Sequence, residues 1–314
     1  MTPDPFSTRR VAPAAPGPSA ARTQVAVPGG RALVVGGGGS TGHAWAVGVL
    51  AGLSDAGVHV AGADLLIGTS SGATVAAQVA DGASPADLFA GIVAEVHPTA
   101  TATGTTPAAR AMRATAEIIA AATDPADMRR RMGAAALEAE AASDGSRSAR
   151  WRATVAARLP GPHWPRQPVW IVAVDARSGE PVVFDRSSGV DLVDAVAAST
   201  SNGVAYAIGR DRYVDGAYRR SGENADLAAG CARVVVLSPL SGGSRCPSEW
   251  GMDLATQAEE LRAGGTDVVT VVPDSSSEHL FGSRAMDLSL RPVAARAGYA
   301  RGRSAAGRLA GSWA

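Results

Sequence analysis

The chain of 314 residues is 46% hydrophobic and formally neutral. It can bury a sizeable core and carries no global basic field of the kind that draws nucleic acid. Aromatic residues make up only 4%, which argues against base-stacking platforms. Two cysteines, Cys231 and Cys246, and five scattered histidines form no metal-ligand spacing. No metal or other cofactor is expected, and the thiols read as unpaired residues of a reducing compartment.

Residues 1–28 are rich in Pro, Ala and Gly. They cannot bury enough apolar surface to order themselves and read as a flexible tail. Arg9 and Arg10 are followed by no apolar stretch, so an export signal is rejected. No apolar run reaches the roughly 18 residues of a membrane span, and a cytoplasmic protein is expected.

From residue 29 to 314 the pattern is that of an α/β domain. Ala32 to Val35 reads as a buried strand, Gly36 to Gly42 as a loop, and His43 to Ala56 as a helix closed by Gly57. Asp64 to Ile67 is a second buried strand, followed by "GTSSG" and a helix from Ala73 to Ala80. An insertion over about 85–160 holds no strand, and three helices with Pro or Ser near their starts are predicted there as a layer over the sheet. Pro168 to Phe184 reads as two strands around a turn at Asp175 to Gly179. A helix, "VDLVDAVAAS", and a short strand ending at Asp215 come next. Two buried strands, "ARVVVLSPL" and "TDVVTVVP", flank a helix near Glu249 to Ala263. The C-terminal segment is predicted as helical in pieces, interrupted near Pro292, with its arginines on a solvated face rather than on lipid phosphates. The alternation predicts a three-layer α/β/α sandwich with a mostly parallel central sheet.

The glycine loop "GGGGSTG", Gly36 to Gly42, admits three chemistries. A phosphate-binding loop needs Lys after its last glycine, but His43 stands there and the chain contains no lysine. A dinucleotide site needs an acid closing the second strand, but Asp64 opens it. Neither nucleotide reading holds. The third is an oxyanion hole, in which glycine N–H groups at a helix N-terminus converge on a developing negative oxygen.

That reading needs a nucleophile. "GTSSG", Gly68 to Gly72, is a G-x-S-x-G that sits between a strand and a helix. A serine on so tight a turn projects its hydroxyl beyond the sheet edge, and small residues two positions either side keep the chain clear of it. Ser70 is the candidate nucleophile, with Gly68 and Gly72 supporting it. A base must take its proton. His279 is the one downstream histidine in a plausible loop. A carboxylate acting directly is the alternative. Asp81 is excluded, because the helix carries it roughly 15 Å from Ser70. Asp215 closes a strand, and Gly216 lets the backbone turn behind it.

"GGGGSTG", "GTSSG" and "DGA" (Asp215 to Ala217), in this order, resemble the patatin-like phospholipases, and "VAVDARSGEPVVF" looks like that family's strand-turn-strand. The resemblance covers about residues 31–300. It implies a Ser70–Asp215 dyad without a catalytic histidine, an oxyanion hole from Gly37, Gly38 and Gly39 supported by Gly42, and hydrolysis of lipid acyl esters. It also implies a lipid or acyl-ester substrate and peripheral contact with a membrane. Thr41 stands where the family usually has Arg or Lys. The segment "AASTSNGVAYAIG" lacks the family's prolines. A Ser–Asp–His279 esterase and a non-catalytic acyl-binding relative are the alternatives.

Overall fold

A computed structural model describes residues 27–97 and 107–313. Almost all of the predicted tail, and 98–106 of the predicted insertion, lie outside the described residues. Eight strands form one sheet: β1 (Arg31–Val35), β2 (Leu65–Thr69), β3 (Val169–Asp175), β4 (Pro181–Phe184), β5 (Tyr206–Ile208), β6 (Asp211–Asp215), β7 (Arg233–Leu237) and β8 (Asp267–Val271). The helices are α1 (Gly39–Asp55), α2 (Ser71–Ala80), α3 (Pro85–Ala94), α4 (Pro107–Ala121), α5 (Pro125–Ala141), α6 (Arg147–Ala156), α7 (Leu192–Ser199), α8 (Leu254–Ala263) and α9 (Arg291–Trp313).

β3, β2, β1, β7 and β8 pair in that order and run parallel, while β4, β5 and β6 join antiparallel. The sheet is therefore mixed and mostly parallel. Its central strands are continuous apolar runs because both faces are covered. Alternate residues of β1 serve the two faces. Leu33 and Val35 pack into a core with Trp45 of α1, Val75 of α2 and Ala295 of α9. Ala32 and Val34 pack into another with Leu254 and Leu261 of α8. A third cluster joins Ile119 of α4 and Met128 and Met132 of α5 to Val174 and Val214.

The register around β3 places the site. Val172 pairs with Thr69 of β2 on one edge and Val183 of β4 on the other. One residue on, Ala173 pairs with Asp215 of β6 and Val182 of β4. β4 thus occupies one edge of β3, and β2 and β6 share the opposite edge, running toward each other. β2 ends at Thr69 and β6 at Asp215, so the residues that follow Thr69 emerge beside Asp215.

Several elements differ from the sequence expectation. α1 begins at Gly39, four residues before the predicted start, since packing against α9 outweighs the poor helix propensity of glycine. α9 runs unbroken from Arg291 to Trp313. Pro292 sits in its first turn, where the missing N–H is not needed. α3 and the three-residue β5 are further elements that the sequence pattern did not separate.

Candidate active site

Ser70 sits between β2 and α2 at φ 53° and ψ −126°, a backbone conformation that non-glycine residues rarely adopt and that costs of order 1–3 kcal/mol. The conformation aims the side chain off the sheet edge. Its Oγ donates to Asp215 Oδ2 at 2.8 Å, and its N–H donates to Ser199 Oγ at 2.9 Å. The flanking glycines are dictated by space. A Cβ at Gly68 would stand 2.5 Å from Ala73 Cα, and one at Gly72 would stand 2.0 Å from the Val35 carbonyl oxygen.

Asp215 is buried. Its Oδ1 accepts from the Ala217 N–H at 2.9 Å, so one oxygen is fixed and the other faces Ser70. Burial pushes the carboxyl up to about 6, against the opposing pull of the Ala217 and Ser70 hydrogen bonds. The effect is a base some two orders of magnitude stronger than a free aspartate. Gly216 lets the chain turn against β3: a Cβ there would stand 2.1 Å from the Val172 carbonyl oxygen.

Helices α3, α5, α7 and α8 start on Ser or Asp side chains that accept from first-turn N–H groups. By contrast α1 and α2, whose N-termini meet at Ser70, have no side-chain cap. The N–H groups of Gly38, Gly39 and Ser40 have no acceptor among the described residues, which leaves donors for an anionic oxygen. Gly37 is a correction to the expected donor set. Its N–H is spent on the Gly222 carbonyl at 2.9 Å, and its role is to admit the loop, since a Cβ there would stand 2.9 Å from Ser70 Cβ. Gly42 donates to the Gly38 carbonyl and closes the first turn of α1. Thr41 is buried with its hydroxyl unpartnered, so the loop brings no cation of its own.

Two supports were not legible in the sequence. Asn224, buried and left-handed at φ 55°, donates from Nδ2 to Thr69 Oγ1 at 3.1 Å and to the Gly216 carbonyl at 3.0 Å. It braces the residue before Ser70 to the residue after Asp215. Ser199 holds the Ser70 backbone from the end of α7. A buried Asn or Ser in such a role has no local pattern; only the long-range register brings it there.

Ser70, Asp215 and Gly37 to Ser40 open onto one cavity of about 1870 Å³, larger than the few hundred Å³ that hold a compact metabolite. Met112, Ile119, Met128 and Met252 give it an apolar wall, drawn largely from α4 and α5. His279 is exposed and has no hydrogen bond to Ser70 or Asp215, so no Ser–Asp–His relay is assembled through it. His43 lies on the cavity but is bonded to Gln78 Oε1 at 3.2 Å, and burial, chiefly, holds its imidazole down to about 3 and neutral. Among the described residues no group of three or more His, Cys, Asp or Glu is gathered to hold a metal. No helix among them is long and apolar enough to cross a membrane.

A scan against protein-family models finds no match, and a search of curated proteins finds none either.

Proposed function

We propose that the protein is a serine acyl hydrolase that cleaves lipid acyl esters, phospholipid or lysophospholipid, through a Ser70–Asp215 dyad. The observation that carries this is the 2.8 Å hydrogen bond from Ser70 Oγ to Asp215 Oδ2, made on an open cavity beside two uncapped helix N-termini. The dyad passes the Ser70 proton to Asp215 as Oγ attacks the ester carbonyl carbon. The N–H groups of Gly38 and Gly39 receive the oxyanion of the tetrahedral intermediate. Its collapse breaks the ester C–O bond, and Asp215 returns the proton to the leaving alcohol. Asp215 then takes a proton from water, whose oxygen attacks the acyl-serine; the acid departs and Ser70 recovers its proton. A carboxylate base suits esters better than amides, because an alkoxide leaves more readily than an amine.

On the same footing we read the fold as a three-layer sandwich of the patatin-like type. The helices of about 85–160 supply the acyl wall, and the partner is a lipid surface met peripherally. Met286, Leu288, Leu240 and Met112 are exposed and line the cavity, an apolar rim suited to a bilayer. Both cysteines are free, which supports a reducing, cytoplasmic setting.

Release of fatty acid from a lysophospholipid, with a chelator present throughout, tests the reading. Hydrolysis by the wild type that vanishes in Ser70→Ala is expected. Turnover that survives in Ser70→Ala, or that the chelator stops, would overturn it.

A further inference from the structure

The first turn of α1 is held from outside by a part of the chain some 250 residues away. The Thr41 N–H donates to the Ala285 carbonyl at 3.0 Å. Gly39, at φ 65°, lies so close to Ala285 that a Cβ would stand 2.9 Å from that same oxygen. Six residues on, Arg291 opens α9. Its Nη1 donates to the Ser40 carbonyl at 3.2 Å and approaches Ser40 Oγ at 3.3 Å. Its Nε and Nη2 meet the two Glu95 carboxylate oxygens at 2.6 and 2.9 Å. The Arg291 side chain is 14% exposed, so this is an anchored fork rather than a surface pair.

The register that delivers Arg291 is fixed by backbone contact. α1 and α9 run parallel and touch through glycines four apart on each helix. A Cβ at Gly298 or Gly302 would stand 2.1 or 2.2 Å from the carbonyl oxygen of Trp45 or Val49. A Cβ at Gly48 or Gly52 would stand 2.1 or 2.2 Å from that of Ala295 or Tyr299. No side chain intervenes along this seam, so the two helices cannot slide without opening it. With the middle of the pair locked, the N-terminus of α9 faces the N-terminus of α1.

We propose that Arg291 is a positioning residue for the oxyanion-binding turn: anchored on Glu95, its guanidinium holds the Ser40 carbonyl and hydroxyl and thereby fixes the N–H groups of Gly38 and Gly39 beside Ser70. The inference rests on the acyl-hydrolase reading above. Glu95 balances the charge of Arg291, so the contribution is one of geometry. An oxyanion donor acts only when already aimed at the oxygen, and small misplacements of a reacting geometry cost up to about a hundredfold. Lysine at 291 carries the charge but cannot bridge Glu95 and Ser40 with a planar fork.

The test is steady-state hydrolysis of a soluble short-chain p-nitrophenyl ester by the full chain, with melting temperatures alongside. Arg291→Ala is expected to lower kcat by about 10- to 100-fold with KM within about twofold, and Arg291→Lys to fall between it and the wild type. Arg303→Ala, which breaks the exposed pair between the middle of α9 and Asp55 at the C-terminal end of α1, is expected to leave kcat unchanged. A kcat within about twofold of wild type in Arg291→Ala would overturn the proposal. So would an equal loss in Arg303→Ala, or a loss lying wholly in KM. If Arg291→Ala does not fold, Glu95→Gln releases the anchor instead; lower kcat at unchanged KM is expected, and unchanged kcat overturns the proposal. A wild type that neither cleaves the ester nor labels at Ser70 defeats the hydrolase reading itself, a result separate from these.

Discussion

Two buried carboxylates lie on opposite sides of the glycine loop, and each binds serine hydroxyls. In front, Asp215 accepts from Ser70 at 2.8 Å. Behind, Glu223 accepts from Ser238 at 2.6 Å and Ser221 at 2.7 Å, and a Cβ at Gly36 would stand 3.2 Å from its Cγ. Burial raises both carboxyls above their ordinary range. By hydrogen-bond length alone the rear cluster is the tighter. The difference lies in access and strain. Ser238 is fully buried and its hydroxyl also accepts from the Gly242 N–H at 2.7 Å, while the Ser221 hydroxyl accepts from the Glu223 and Asn224 N–H groups and from Gln257 Nε2, so both are engaged on donor and acceptor sides. Ser70 is bent into a left-handed conformation, opens on the cavity and lies beside free N–H donors. A serine–carboxylate bond is a structural clasp at one site and a candidate catalytic pair at the other. Only the surroundings separate them.

The largest effects should fall on the front pair. Ser70→Ala and Asp215→Asn are each expected to reduce ester hydrolysis by about a thousandfold or more, measured as kcat/KM, with the circular dichroism spectrum unchanged. Wild-type rates in either would erase the distinction drawn above. Loss of the brace between the two strands should appear in stability instead. Asn224→Ala leaves the Gly216 carbonyl and the Thr69 hydroxyl without their shared donor. It is expected to cost about 2–4 kcal/mol in urea unfolding.

Asp215→Asn should also stabilise the fold at high pH. The folded carboxyl titrates at about 6 and its ordinary value is 3.8. Between those values the native state holds a proton that the unfolded chain has lost. The contribution of Asp215 to stability is therefore most favourable below about pH 4 and declines as pH rises through 6. At pH 8 the variant is expected to be about 1–3 kcal/mol more stable than wild type, with no gain at pH 4. Urea midpoints at the two pH values decide it. Activity runs the other way: kcat/KM should rise with pH through about 6 and level off above, because only the ionised Asp215 accepts the serine proton.

The smallest expected effect is the sharpest for the comparison. Glu223→Gln should leave the midpoint of that pH–rate profile in place and alter kcat/KM by no more than a few-fold. A midpoint that moved with Glu223 would show the rear carboxyl to be the titrating base.

The parts of this site that were readable in the sequence are those that occupy a few consecutive residues. "GTSSG" fixed Ser70 because a strand, a cramped turn and a helix must share that stretch. "YVDGA" marked Asp215 as a candidate beside His279 because a strand end and a turning glycine adjoin it. The start of α1 was misplaced because glycine propensity argues for a loop, whereas a helix 250 residues away argues otherwise. Pro292 read as a break because a proline's position within a helix is invisible until its start is known. Gly37 was assigned a donor role that its bond to Gly222 precludes, and Gly222 lies on no pattern shared with it. Asn224, Ser199, Glu95 and Arg291 act across long separations, where the meeting of β2 and β6 on one edge of β3 and the α1–α9 seam set the neighbours.

The central claim is that Ser70 is a nucleophile prepared by Asp215 and the turn of Gly38 and Gly39. Reaction with a fluorophosphonate probe followed by peptide mass spectrometry reads all three together. One adduct on Ser70 is predicted, absent in Ser70→Ala and formed far more slowly in Asp215→Asn. An unlabelled Ser70, or labelling that persists undiminished in Ser70→Ala, would contradict it.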